Sequence, residues 1–90
     1  MKKCYIISID RNPSRLYENF LDAIKTYSIW AKITDSTYAV VTNQSTTDVR
    51  DHLIQYLNPE DRIFVMKSSG VAAWRHANAA DWLQKYLPIT

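Results

Sequence analysis

The sequence predicts an α+β fold whose elements run βαββαβ, followed by one further helix near the C-terminus. Four short runs are rich in β-branched and aromatic residues, which is typical of strands. Two segments between them repeat apolar residues at a spacing of 3.6, which indicates helices packed along one side. A tight polar connection between the second and third runs indicates a hairpin. Ninety residues suffice for one domain, so we expect residues 1–90 to form a single domain.

The first strand is predicted at residues 3–9, where an apolar run contains neither Gly nor Pro. Such a run suits a central strand that is buried on both faces. Pro13 fixes its own backbone and biases Asn12 away from helical geometry, so Asn12 is expected to cap a helix that begins at Pro13. This helix is predicted over about 13–28. Its apolar stripe consists of Leu16, Phe20, Ile24 and Tyr27.

The hairpin and the second helix follow. Strands are predicted at 30–33 and 37–42, joined by the polar residues 34–36. Capping residues then precede a helix over about 47–57. Its apolar positions are Val49, Leu53, Tyr56 and Leu57.

The last part of the chain predicts one more strand and one more helix. Residues 62–67 form an apolar run between turn-forming segments, which indicates the fourth strand. Apolar residues at helical spacing predict a C-terminal helix over about 76–87, closed by Pro88. Trp30 and Trp82 are expected to be largely buried, because large aromatic residues dominate the core of a small domain.

This order of elements is that of the ferredoxin-like fold. Right-handed crossovers arrange its antiparallel sheet in the strand order 4-1-3-2, with strands 1 and 3 in the centre. Both helices then cover one face of the sheet. The other face stays open unless the C-terminal helix or a partner subunit covers it.

Composition excludes several classes of protein. Cys4 is the only cysteine, so the chain forms no internal disulfide and no cysteine-based metal cluster, and a reducing cytoplasm is expected. The apolar run before Asp10 is too short to span a membrane. A single glycine leaves no phosphate-binding loop and no dinucleotide fingerprint, so no nucleotide cofactor is expected. The formal charge of +2 and scattered basic residues favour no polyanionic partner by themselves.

Asp10 is the strongest candidate for a functional residue, because it directly follows an apolar strand. The strand order brings the starts of strands 3 and 4 to the same end of the sheet. A hydrated Mg²⁺ or Mn²⁺ ion prefers oxygen ligands and retains waters, so it fits there. The alternative is that Asp10 accepts backbone N–H bonds or pairs with Arg11 or Arg62. The neighbours expected at this end are Ser36, Thr37, Asp61 and Arg62.

The two histidines lack the spacing of a zinc motif. Asp48 precedes His52 by four residues, which predicts a surface pair on one helical face rather than a catalytic dyad. His76, after Trp74 and Arg75, is expected to lie at the start of the C-terminal helix, with contact to nucleic acid as the alternative.

Several short segments form a pattern over nearly the whole chain: 5–10, Trp30, 35–42, 49–53 and 61–65. In this pattern the chain resembles the SinR-like small bacterial proteins. These are similar to the small CRISPR-associated ferredoxin-like protein of spacer acquisition and to the virulence-associated protein D toxins. In those families an aspartate at the end of the first strand lies near the twofold axis of a homodimer and is implicated in metal-dependent phosphodiester cleavage. The resemblance implies that role for Asp10.

Two functions follow as hypotheses. The first is a metal-dependent endonuclease, with RNA as the expected substrate, in which Asp10 of each copy helps to hold Mg²⁺ or Mn²⁺ and Arg11 or Arg62 holds phosphate. The second is a non-catalytic dimeric scaffold or interaction protein of a mobile-element, toxin-antitoxin or antiviral defence system. Both predict a cytoplasmic homodimer with no membrane partner, with the fourth strand or the segment after it at the interface. The alternative is a monomer in which residues 76–87 fold back across the open face of the sheet.

Overall fold

The chain folds around one antiparallel sheet of four strands. A computed structural model describes residues 2–10, 18–68 and 73–86. The strands are β1 (Lys3–Asp10), β2 (Ile29–Thr34), β3 (Thr37–Thr42) and β4 (Arg62–Lys67). The helices are α1 (Glu18–Lys25), α2 (Thr46–Ile54) and α3 (Ala80–Tyr86). The strand order β2-β3-β1-β4 confirms the ferredoxin-like fold with an added C-terminal helix.

The strand β1 occupies the centre of the sheet because it pairs along both of its edges. Its register with β3 runs from Lys3 opposite Thr42 to Ser8 opposite Thr37. On its other edge, β1 pairs with β4 up to Asp10 opposite Arg62. The edges of the sheet are therefore β2 and β4, and β4 has the predicted bounds.

One face of the sheet packs against α1 and α2 and forms the main core. Tyr5, Ile7 and Ile9 alternate along β1 with more exposed residues and point toward this helix face. Burying a side chain of this size contributes about 1.5–3 kcal/mol, so this cluster dominates the stability of so small a domain. The cluster is completed by Phe20, Ala23, Ile24 and Tyr27 from α1 and the turn after it, Tyr38 and Val40 from β3, and Val49 and Leu53 from α2.

The two main helices are shorter than predicted at their C-terminal ends. After α1, the Thr26 hydroxyl donates to the Ala23 carbonyl at 2.6 Å, and the backbone turns tightly. After α2, residues 56 and 57 donate to carbonyls three residues earlier, so the chain continues as turns. The predicted cap Asn12 and helix start at Pro13 lie outside the described residues.

The opposite face of the sheet, here called the second face, is only partly covered. Ala31, Ala39 and Val41 on β2 and β3 are buried there, although they lie outside the helix-face cluster. Directly opposed strand partners place further residues on the same face. They are Cys4, Ile6, Phe64 and Met66. Burial raises the pKa of the Cys4 thiol to about 11, which agrees with a desolvated environment beside Val41.

We infer that α3 covers the β2–β3 part of the second face. The backbone N–H of Asn78 donates to the carbonyl of Ile33 at 2.8 Å, which fastens the segment before α3 to β2. Leu83 of α3 is 2% exposed and lies outside the helix-face cluster. On β4, by contrast, Phe64 is 61% exposed and Met66 is 46% exposed. The cover therefore stops short of the β4 edge.

One prediction in this region is wrong in detail. The last helix begins at Ala80 rather than near His76, because His76 and Ala79 adopt left-handed φ angles of 55° and 59°, which break a helix. The expectation that Trp30 and Trp82 are largely buried holds, since both have intermediate exposure. Trp30 packs at the margin of the helix-face cluster, whereas Trp82 stacks beside Tyr86 on α3.

Docking of α3 through Leu83 makes a testable prediction. Truncating this buried side chain in Leu83→Ala should lower the free energy of unfolding by about 2–5 kcal/mol, because it removes apolar contacts and leaves a cavity. The neighbouring exposed residue provides the control, and Gln84→Ala should stay within about 0.5 kcal/mol of the wild type. Urea denaturation measures both variants. Equal stability of the two would show that α3 is not docked on the sheet.

Candidate functional sites at the two ends of the sheet

The first candidate site lies where β1 ends. Asp10 is opposite Arg62 on β4, and its Oδ2 atom lies 4.0 Å from the Arg62 Nε atom. The Ile9 N–H donates to the Ser36 carbonyl at 2.9 Å, so the turn between β2 and β3 reaches the same end. The predicted meeting of Asp10, Arg62, Ser36 and Thr37 at one end of the sheet is therefore confirmed.

Asp10 and Arg62 form an exposed pair. Their side chains are 75% and 85% exposed, respectively. An ion pair so open to water contributes little to stability, because water screens the charges and the side chains lose freedom. The alternative that Asp10 pairs with Arg62 thus describes the observed contact, yet this contact leaves both charged groups accessible to a ligand. Arg11, the other predicted phosphate ligand, lies outside the described residues.

Asp61 is committed to a turn. Its Oδ2 atom accepts hydrogen bonds from the backbone N–H of Asn58 at 2.9 Å and from the Asn58 side chain at 3.3 Å. These bonds close the turn between α2 and β4. Within the described ranges, no three His, Cys, Asp or Glu side chains lie close enough together to hold a metal ion. Asp35 in the β2–β3 turn and Asp61 before β4 also lie toward this end, but with Asp10 they do not form a group of three that could hold a metal ion.

The second candidate site lies at the other end of the sheet, where β1 begins and β3 ends. An open cleft of about 730 Å³ is lined there by residues of the turn after α1, the end of β3 and α2. Most of the residues that line it are polar or charged, and they include Lys2, Tyr27, Asp48, Asp51, His52 and Gln55.

A hydrogen bond between Tyr27 and His52 lies in this cleft. The Tyr27 hydroxyl is 2.8 Å from His52 Nδ1, and the two rings meet edge to face with centroids 5.4 Å apart. Tyr56 packs against the His52 ring in a similar way, at 5.7 Å. Burial, and then the negative charge of Asp48, raise the pKa of Tyr27. Where the phenol donates this bond, His52 accepts at Nδ1 and carries its ring proton on Nε2.

Sequence reasoning missed this pair. It predicted that His52 would pair with Asp48 at the helical spacing of four residues. Asp48 instead closes a capping box with Ser45: its N–H donates to the Ser45 hydroxyl at 3.1 Å, and its carboxylate accepts from the Ser45 N–H at 3.5 Å. The sequence placed Tyr27 on the stripe of the first helix and His52 on the second helix, which says nothing about a contact between residues 25 positions apart.

Two further predictions concern the position of His76 and a membrane-spanning segment. His76 is exposed in the segment before α3 and does not start that helix. Among helices formed by the described residues, none is long and apolar enough to span a bilayer.

Comparisons of the chain with protein-family models, curated proteins and solved structures find no match. The resemblance to the SinR-like proteins therefore stays a prediction, and so do the roles it implies for Asp10, Arg11 and Arg62.

The raised pKa of Tyr27 predicts a loss of stability in alkali. Tyr27 in the unfolded chain ionises near its usual pKa of 10.0, whereas in the folded chain it holds its proton to higher pH. Its contribution to stability is therefore present below about pH 10 and is lost as pH rises through the folded pKa. The free energy of unfolding, measured by urea denaturation from about pH 8 to 11, should fall less steeply for Tyr27→Phe than for the wild type.

The exposed Tyr56 supplies the matched control for this measurement. Tyr56→Phe removes the same hydroxyl from a neighbouring aromatic residue and should leave the alkaline decline unchanged. Cys4 also has a raised pKa, but it is present in all three proteins and cancels in the comparison. Identical curves for wild type and Tyr27→Phe would contradict the assignment.

Proposed function

We propose that the protein is a cytoplasmic homodimer that binds nucleic acid at the Asp10 end of the sheet and cleaves it with the help of a divalent metal ion. RNA is the proposed substrate. The observation that carries this proposal is the exposure of Asp10 and Arg62, two opposite charges side by side at a strand end. Neither belongs to the core, so folding does not explain their placement. The sequence resemblance gives the same role to Asp10.

The metal part of the proposal requires two copies of the chain. Mg²⁺ and Mn²⁺ take oxygen ligands, and Mg²⁺ typically keeps several waters while binding one or two carboxylates. The part of one chain that the structure describes offers no cluster of three ligating side chains. Asp10 from each of two copies would supply two carboxylates, which is a sufficient protein contribution for a hydrated ion. Bound there, such an ion would activate water and stabilise charge on phosphate.

Arg62 would bind the phosphate backbone. A guanidinium group binds phosphate through two parallel hydrogen bonds, a geometry that a lysine does not reproduce. Its present contact with Asp10 is long and solvent-exposed, so replacing that carboxylate by a phosphate would cost little free energy. Arg11, adjacent in sequence to Asp10, is proposed for the same role.

The apolar surface at the β4 edge supports the dimer. Phe64 and Met66 lie on the second face of an edge strand, and both are exposed. Edge strands and apolar patches of this kind favour pairing with another chain. Because Asp10 is paired with the first residue of β4, the two copies of Asp10 would meet if the twofold axis of the dimer passes near Arg62.

A non-catalytic dimeric scaffold is the second candidate function, within a mobile-element, toxin-antitoxin or defence system. The specific observation in its favour is that Asp10 already faces Arg62 and that the described residues contain no group of three His, Cys, Asp or Glu side chains that could hold a metal ion. Such a protein would use the same end of the sheet to bind nucleic acid, without cleaving it.

Cleavage assays distinguish these functions. Labelled RNA and duplex DNA are incubated with the wild type and with Asp10→Asn, in Mn²⁺ or in excess chelator. The proposal expects RNA cleavage that disappears with chelator and in Asp10→Asn. The exposed Asp22 on α1 gives the control Asp22→Asn, which carries the same change in charge and should cleave normally.

Stability measurements keep this assay interpretable. Asp10→Asn should change the free energy of unfolding by no more than about 0.5 kcal/mol, as for most exposed positions. Binding of RNA without cleavage would support the scaffold. Absence of both binding and cleavage in a folded wild-type protein would contradict both functions.

A further inference from the structure

The cleft at the end of the sheet opposite Asp10 has features of a binding site that the proposed function does not use. It is formed by four separate parts of the chain: the residue before β1, the turn after α1, the end of β3 with the loop after it, and α2. Asp48, Asp51, His52 and Gln55 recur at helical spacing, so they project from one side of α2 into the same space.

The Tyr27–His52 hydrogen bond gives this cleft a fixed polar group. The bond joins α2 to the turn after α1, and edge-to-face contacts with Tyr27 and Tyr56 restrict rotation of the His52 ring. In the tautomer in which Nδ1 accepts from the phenol, His52 presents Nε2–H as its second hydrogen-bonding group. A preoriented donor of this kind fixes the orientation of a small ligand.

The charges in the cleft favour a cation over an anion. Its lining carries the carboxylates of Asp48 and Asp51 against the single ammonium of Lys2. Arg50 partly neutralises Asp51, with 2.9 Å between the Arg50 Nη2 and Asp51 Oδ1 atoms. Asp48 is engaged by Ser45, which is a polar neighbour without charge. Because the capping box occupies the start of α2, this helix end does not offer an open set of N–H groups to a phosphate.

We propose that this cleft binds a small organic molecule that carries a protonated amine next to a hydroxyl or carbonyl oxygen. Asp48 binds the ammonium group, and His52 donates a hydrogen bond to the neighbouring oxygen. The chemistry differs from that of phosphate, so this site is independent of nucleic-acid binding at the Asp10 end. A dimer with or without nuclease activity can possess it.

Ethanolamine is the simplest probe, since it contains one ammonium and one hydroxyl group. It is titrated to about 100 mM into ¹⁵N-labelled full-length protein, a concentration that detects even very weak binding of so small a molecule. The expected result is a saturable shift of the backbone amide signals of Tyr27, Asp48 and His52. Inorganic phosphate at the same concentration and ionic strength should not shift these signals saturably.

Matched variants assign the binding to the two proposed groups. Asp48→Asn should weaken ethanolamine binding about tenfold, whereas Asp35→Asn makes the same charge change in the turn at the opposite end of the sheet and should have no effect. His52→Gln should also weaken binding and leaves the Ser45–Asp48 cap intact, so it decides the matter if Asp48→Asn is unstable. Absence of saturation, equal effects of Asp48→Asn and Asp35→Asn, or preferential binding of phosphate would each overturn the proposal.

Discussion

The central strand pair β1–β3 imposes the main constraint on this protein, because both of its faces carry apolar side chains. Tyr5 and Ile7 on β1 point to one face, while their neighbours Cys4 and Ile6 point to the other. On β3, Val40 is fully buried on the helix face and Ala39 is fully buried on the second face. A layer of two helices satisfies only one of these faces, so the chain needs a second cover.

The added C-terminal helix supplies part of that cover. Leu83 is buried, and the bond from Asn78 to Ile33 fastens the preceding segment to β2. At the other edge, β4 keeps Phe64 and Met66 in contact with solvent. The intramolecular cover therefore protects the β2–β3 side, and the exposed strip on β4 is the surface that a second copy would bury. The proposed metal site depends on that same pairing, since the described part of one chain contains no group of three side chains that could hold a metal ion.

Much of the fold could be predicted because its signals are local. The residues of β4 and the order of all four strands follow from apolar runs, turn residues and right-handed crossovers. The position of Asp10 beside Arg62 and Ser36 follows from that order. The chemistry proposed for Asp10 does not follow from that order, because the sequence of one chain does not specify where a second copy places its own Asp10.

Other features were hidden because they depend on non-local contacts or unusual backbone geometry. The helix α3 begins late because His76 and Ala79 adopt left-handed φ angles. Glycine usually marks such positions in a sequence, and neither residue is glycine. The Tyr27–His52 bond joins two helical regions whose facing sides are set only by packing on the sheet. The spacing of Ser45 and Asp48 is that of a capping box, which the sequence shows. The carboxylate of Asp48 takes part in that box and does not pair with His52 as predicted.

Pairing of two chains through the β4 side of the second face is the central claim of this account. Multi-angle light scattering at micromolar concentration measures it most directly. The account predicts a mass of twice the 10.5 kDa of one chain, and a shift toward the single-chain mass when exposed Phe64 is replaced in Phe64→Lys. The matched variant Gln84→Lys places the same charge on α3 and should remain dimeric. A wild-type mass near 10.5 kDa would contradict the dimer and, with it, any site built from two copies of Asp10.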